Sequence, residues 1–124
     1  MTGSTWSTED LRLIAASGEL EIAARRADDT LRPWLPIWVV CAGEQVYVRS
    51  WHRRDTGWFG QAVRTHRARI RVPGLEADVT VADLGDTSRQ VTDAVDEAYR
   101  AKYGAAESMV TPTAAKTTLR LDPE

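Results

Sequence analysis

Apolar and polar residues alternate in five stretches of this chain, and apolar residues recur every three or four positions in three more. The first helical stretch opens at Ser7, which can cap it, with Glu9 and Asp10 at the positive end of its dipole. Trp6 and Leu11 stand at hydrophobic-staple spacing, Leu11, Ile14 and Ala15 form the apolar stripe, and Gly18 is the expected stop. Residues 19–24 alternate Leu20 and Ile22 with Glu19 and Glu21, the pattern of a half-buried strand, and residues 25–33 form a polar loop. Residues 34–41 then make a continuous apolar run of strand length. Ala42, Gly43 and Glu44 turn it into residues 45–51, where Val46 and Val48 alternate with Tyr47, Arg49 and Trp51. Residues 34–51 thus read as a buried hairpin with one aliphatic face and one face carrying arginine and aromatics, an arrangement that separates a core from a site.

Beyond a loop at 52–57, a short helix is predicted to about residue 66, capped by Thr56 or Asp55, with Trp58, Phe59 and Ala62 inward. Ile70 and Val72 alternate with Arg69 and Arg71, Pro73 and Gly74 make a tight turn, and Ala77, Val79 and Val81 continue a second hairpin. Asp86, Thr87 or Ser88 caps the longest helix, whose stripe is Val91, Val95, Ala98, Tyr99 and Tyr103 and whose stop is Gly104. A loop with Met109 and Pro112 leads to a last strand through Leu119 and Leu121. About six strands joined mainly by tight turns, with three helices, predict one α+β domain over residues 1–124, a small antiparallel split β-barrel.

Composition changes this picture little. The chain is 43% hydrophobic and 27% charged, ordinary for a globular protein. No basic segment followed by an apolar one opens it, and the longest apolar run is broken by Pro36, so neither a secretion signal nor a membrane span is expected. The single cysteine, Cys41, is expected as a buried thiol, and the protein as cytoplasmic.

Charge adds more. Residues 49–71 hold seven arginines against Asp55 alone, a local charge of +6, which leaves −8 elsewhere in a chain of net charge −2. Both histidines, His52 and His66, fall in the same segment. Such a cluster implies an anionic partner, while the acidic remainder argues against general affinity for nucleic acid.

The segment WVVCAGEQVYVRSW followed by GWFGQAVRTHRARIRVPG resembles the split-barrel FMN- and deazaflavin-binding (nitroreductase-like) proteins, through Trp58, Phe59 and residues 69–74. Over almost the whole chain the resemblance is closer to domain of unknown function 2255. It is carried by Thr5, Trp6 and Ser7, by Ile37 and Trp38, by Tyr47, Val48 and Arg49, by Trp58, and by residues 98–103 and 117–121. The split-barrel resemblance implies a homodimer with FMN or a deazaflavin across the interface, its phosphate held by Arg49, Ser50, Arg53 and Arg54. Guanidinium forks beside a helix starting near Gly57 agree with an anion site, and Trp51 or Trp58 could cover a ring. Two departures stand against it: the loop 52–57 is short, and the first strand lacks the glycine-rich lead-in common among deazaflavin-binding members.

The implied activity is hydride transfer to a small organic substrate, with Trp58 walling the ring pocket and Trp38, Tyr47 and Trp51 on the substrate side. His52 beside that site is the candidate acid or base. Each residue has a plainer reading: solvated loop arginines, an Arg49 paired with a carboxylate, core tryptophans and an exposed histidine. Two histidines fourteen positions apart and one cysteine offer no metal-ligand spacing. Two rival functions remain. One is a cofactor-free small-molecule binder, isomerase or cyclase using the same pocket. The other is a nucleic-acid module stacking bases on Trp51 and Trp58, disfavoured because no RNP or helix-turn-helix pattern is present.

Overall fold

A computed structural model describes residues 5–50, 57–104 and 107–124. Helix α1 (Thr8–Ala16) begins at Ser7, whose hydroxyl accepts from the Asp10 N–H at 3.0 Å. Trp6 is buried, donates its indole N–H to the Leu121 carbonyl at 2.8 Å, and shares the core with Leu11. Strand β1 (Leu20–Ala24) follows, burying Leu20 and Ile22 as the alternation predicts.

The apolar run 34–41 is the main departure from the expected hairpin. It is not one strand but two, β2 (Leu35–Ile37) and β3 (Val40–Ala42), divided at Trp38 and Val39. Strand β3 turns through Gly43 and Glu44, both at positive φ (56° and 66°), into β4 (Gln45–Val48). Positive φ at both central positions matches the type I′ turn whose twist suits a two-residue hairpin. Helix α2 (Gly57–Thr65) and strands β5 (Arg67–Val72) and β6 (Leu75–Asp83) come next. Pro73 and Gly74 (φ 89°) join β5 to β6, as their turn chemistry predicts. Helix α3 (Arg89–Tyr103) starts at Ser88, which accepts from the Val91 N–H at 3.3 Å, and stops at Gly104 (φ 69°). The predicted loop beyond it holds a 3-10 turn (Glu107–Met109) and a one-turn helix α4 (Pro112–Ala115) before β7 (Leu119–Pro123). The expected cap at Thr56 or Asp55 lies outside the described residues.

The seven strands make one antiparallel sheet in the order β2-β1-β5-β6-β7-β4-β3. Strands β2 and β3 therefore occupy opposite edges, yet only Trp38 and Val39 separate them in sequence. Flat, seven strands would hold their edges roughly 29 Å apart, whereas the three peptide steps from Ile37 to Val40 span at most about 11 Å. The sheet must curl until its edges nearly meet, and the fold is the α+β split barrel that the sequence predicts, with one strand more.

Inside the curl lie Ile14, Leu20, Ile22, Val46, Val48, Phe59, Ile70 and Leu121. On the outer face of β3 and β4 a second core packs Val40, Tyr47 and Met109 against Val95 and Tyr99 of α3. The alternation in β4 thus divides two cores.

Candidate functional site

The crossover is held by the C-terminal end of α3. Tyr103 stacks on Trp38 with ring centroids 4.0 Å apart and planes within 3°. Its hydroxyl donates to the Gly18 carbonyl at 2.7 Å and accepts from the Val39 N–H at 3.1 Å, while Lys102 Nζ donates to the Val39 carbonyl at 2.7 Å. Burial pushes the Tyr103 phenol up and the Lys102 ammonium down from their usual ranges. The backbone that leaves one sheet edge for the other is therefore hydrogen-bonded, and Trp38 has one indole face covered.

A cleft of about 470 Å³ opens beside this crossover. One wall is the edge strand β2 with Leu35, Pro36 and Ile37, continued by Trp38. The lining is completed by Arg49 and Ser50 beyond the end of β4, Trp58 in the first turn of α2, Ser108 and Met109 of the 3-10 turn, and Glu19. Pro36 has no N–H to offer a further strand, which suits it to an edge. Leu35 is the exposed large hydrophobic residue on this edge, at 40%.

Arg49 is fully buried. Its Nε donates to Thr118 Oγ1 at 2.9 Å, and Nη1 donates to Asp96 and to the Met109 carbonyl, the latter at 2.8 Å. Nη2 lies 3.4 Å from the Thr92 carbonyl, and the guanidinium carbon is 5.7 Å from the centre of the Tyr99 ring. At most one N–H of its fork is left over among these contacts, and its charge is met by Asp96. Ser50 is held next to it: its N–H donates to Thr117 Oγ1 at 2.9 Å, and the Thr117 proton serves the Ser50 carbonyl at 2.9 Å or the Ala114 carbonyl at 2.6 Å. Thr117 and Thr118 thus tie the end of β4 to the segment leaving α4.

Of the expected site residues, the cleft brings together Trp38, Arg49, Ser50 and Trp58. Tyr47 is instead in the second core, where burial raises its phenol. Trp51, His52, Arg53 and Arg54 lie outside the described residues. Glu19, Ser108 and Met109 in the cleft, and Asp96 against Arg49, are not among the expected residues, because their places follow from tertiary packing.

The basic segment also looks different once folded. Along β5, Arg71 faces Glu21 at 2.8 Å, Arg69 holds Glu76 at 2.7 Å and Asp78 at 2.9 Å, and Arg67 holds Asp29 at 2.7 Å and Glu124 at 3.2 Å. Arg71 also lies 4.0 Å over the Trp34 ring. The anionic partners that the charge count implies are, for β5, carboxylates of this chain, delivered mainly by the register of β1 and β6. Hydrogen bonds from Arg25 and Arg69 hold the Asp78 carboxyl below its usual range. Among the described residues no group of histidine, cysteine, aspartate and glutamate could hold a metal ion. None of the described helices is long and apolar enough to cross a membrane.

The family profile described as "Uncharacterized protein conserved in bacteria (DUF2255)" matches residues 10–121. The chain belongs to this family. No curated protein matches this DUF2255 member. Among solved structures it is similar to HutZ, the heme storage protein from Vibrio cholerae, with TM-score 0.69 and 12% identity over 97% of this chain and 91% of that one. It is also similar to a FAD-binding protein from Mesorhizobium loti, with TM-score 0.65 and 15% identity over 100% of this chain and 94% of that one. An F420 reductase gives TM-score 0.60 and 16% identity over 91% of each chain. At these identities the likeness is one of fold.

Proposed function

We propose that this DUF2255 protein is a cytoplasmic, homodimeric, split-barrel oxidoreductase that binds FMN or a deazaflavin in the cleft and acts on a small organic substrate. The observation that carries this reading is the convergence, in one cleft of about 470 Å³, of Trp58, Trp38 and the Arg49–Ser50 end of β4. That volume lies within the roughly 300–1,000 Å³ of small-molecule and cofactor sites, and apolar walls with a few polar groups are their usual lining. Structural likeness to a FAD-binding protein and an F420 reductase supports it. In this reading Ser50, Arg53 and Arg54 hold the phosphate near the start of α2, whose first N–H groups favour an anion. Arg49 stays paired with Asp96 and positions Ser50 and Met109, lending at most its remaining N–H. Trp58 walls the ring and Trp38 lines the substrate side. The cofactor, when bound, supplies the hydride, and the protein orients the reactants and excludes water. The exposed apolar edge at Leu35 is where a second copy closes the cleft.

The test is the visible absorbance spectrum of the purified protein, as isolated and after incubation with FMN or a deazaflavin followed by desalting. A retained flavin or deazaflavin band is expected. Arg54→Ala is expected to weaken retention about tenfold, the scale of one charge-assisted phosphate contact. Unchanged affinity in that variant would remove the phosphate assignment. A second reading, a cofactor-free binder or isomerase, is favoured by the internal neutralisation of Arg49, and a colourless protein that retains neither cofactor would select it.

A further inference from the structure

The cleft is not electrically symmetric. Its one described cation, Arg49, is paired with Asp96, whereas Glu19, which also lines it, forms no ion pair or side-chain hydrogen bond among the described residues. Glu19 is exposed, and its carboxylate faces solvent.

The pairing of β1 with β2 determines what stands beside it. Leu20 is opposite Ile37, Glu21 opposite Pro36 and Ile22 opposite Leu35; the ladder ends there, and Glu19 and Trp38, the next residue of each segment, both line the cleft. A second path leads to the same juxtaposition: Gly18, adjacent to Glu19, accepts from the Tyr103 hydroxyl, and the Tyr103 ring is stacked on Trp38. Tyr103 covers one indole face, and Trp38 lines the cleft with the rest of its surface. A carboxylate without an ion-pair partner among the described residues, in one cleft with a fixed indole, is the pair of groups that recognises a positively charged organic group, by Coulomb attraction and by the negative face of the ring. The apolar residues Leu35, Ile37 and Met109 offer a surface for the uncharged body of such a molecule.

We propose that this end of the cleft binds a small organic cation, an amine carrying an apolar or aromatic body, with Glu19 and Trp38 as the residues that select for positive charge. The inference uses the same cleft as the proposed function and, where that function holds, gives the substrate its class.

Isothermal titration calorimetry at low ionic strength and neutral pH tests it with three probes of similar body: phenethylamine, 2-phenylethanol and 3-phenylpropionate. Phenethylamine is expected to bind about tenfold more tightly than the neutral probe, the combined scale of an exposed cation–π contact and an exposed ion pair. The anion is expected to bind most weakly, and added salt should narrow the range. Glu19→Gln, an isosteric change at an exposed position, should bring phenethylamine to the affinity of 2-phenylethanol, and Trp38→Leu should weaken all three. Equal or tighter binding of 3-phenylpropionate, no binding of phenethylamine at millimolar concentration, or a cation preference that survives Glu19→Gln would each overturn the proposal. Cofactor retention by the unmutated protein is read separately. Retention without cation preference sinks only this inference, and cation preference without retention sinks only the oxidoreductase reading.

Discussion

Arg49 and the arginines of β5 belong to one basic stretch of sequence and end in opposite circumstances. Arg67, Arg69 and Arg71 project from alternate positions of a strand, partly exposed; strand register brings carboxylates to Arg69 and Arg71, and Asp29 and Glu124, outside the strands, meet Arg67. Arg49 leaves the end of β4 and is enclosed by α3, the 3-10 turn and the segment after α4, with Asp96, Thr118 and Met109 around its fork. On β5 water screens each pair, and removing one partner leaves the other hydrated. Around Arg49 there is no such refuge, so each partner lost leaves a buried charge or donor unmet. The seven arginines spread over residues 49–71 thus describe at least two kinds of site.

The largest effect should come from separating the buried pair. Asp96→Ala leaves the Arg49 charge uncompensated and is expected to lower unfolding free energy by about 3–5 kcal/mol, measured by urea denaturation. A loss no larger than that of an exposed pair would erase the contrast between the two regions. A double variant, Arg49→Met with Asp96→Leu, should recover much of that loss, since apolar replacement of both partners removes the desolvation penalty.

An intermediate effect is expected at Tyr99, on whose ring Arg49 lies. The Tyr99 hydroxyl is buried without a hydrogen-bond partner among the described residues, although the Arg49 backbone lies beside it. Burial pushes this phenol far up, against the opposing influence of the Arg49 charge. A folded pKa above the unfolded one means a stabilising contribution that is complete below about pH 10 and lost as pH rises further. Tyr99→Phe is therefore expected to match or exceed the parent by about 1 kcal/mol at neutral pH, because an unmet buried hydroxyl is removed. Its melting temperature should also fall less steeply above pH 10. A steeper fall in the variant would contradict the assignment.

The smallest effect belongs to β5. Arg69→Gln keeps most of the stem over the sheet and should change the melting temperature by about 2 °C or less, with the difference shrinking in high salt. A salt-insensitive loss would show that this face resembles the Arg49 site after all.

Local chemistry made much of the fold legible. Ser7 and Ser88 cap their helices, Gly104 ends α3, and Pro73 with Gly74 turns β5 into β6, all through interactions within a few residues. Four candidate residues, Trp38, Arg49, Ser50 and Trp58, meet in one cleft, whereas Tyr47, drawn from the same strand pattern, packs against α3. Alternation assigns a side chain to a face without saying what covers that face. The 3-10 turn and α4 lie where the sequence predicts a loop, because three- and four-residue helices carry no periodicity to detect.

By itself the sequence determined the α+β class, the caps and turns, the aliphatic positions of the strands and membership of its family, because each rests on near-neighbour chemistry or on patterns along the chain. Tertiary structure alone decided that residues 34–41 divide at Trp38 and Val39 between opposite sheet edges. The physical reason is pairing: β1 claims residues 35–37, β4 claims residues 40–42, and Tyr103 with Lys102 holds the backbone between them. Pro36, which lacks an N–H, suits the edge position that β2 takes. The same long-range packing brought Glu19 and Trp38 into one cleft, met the β5 arginines with carboxylates and enclosed Arg49, and no count of charges along the chain contains that information.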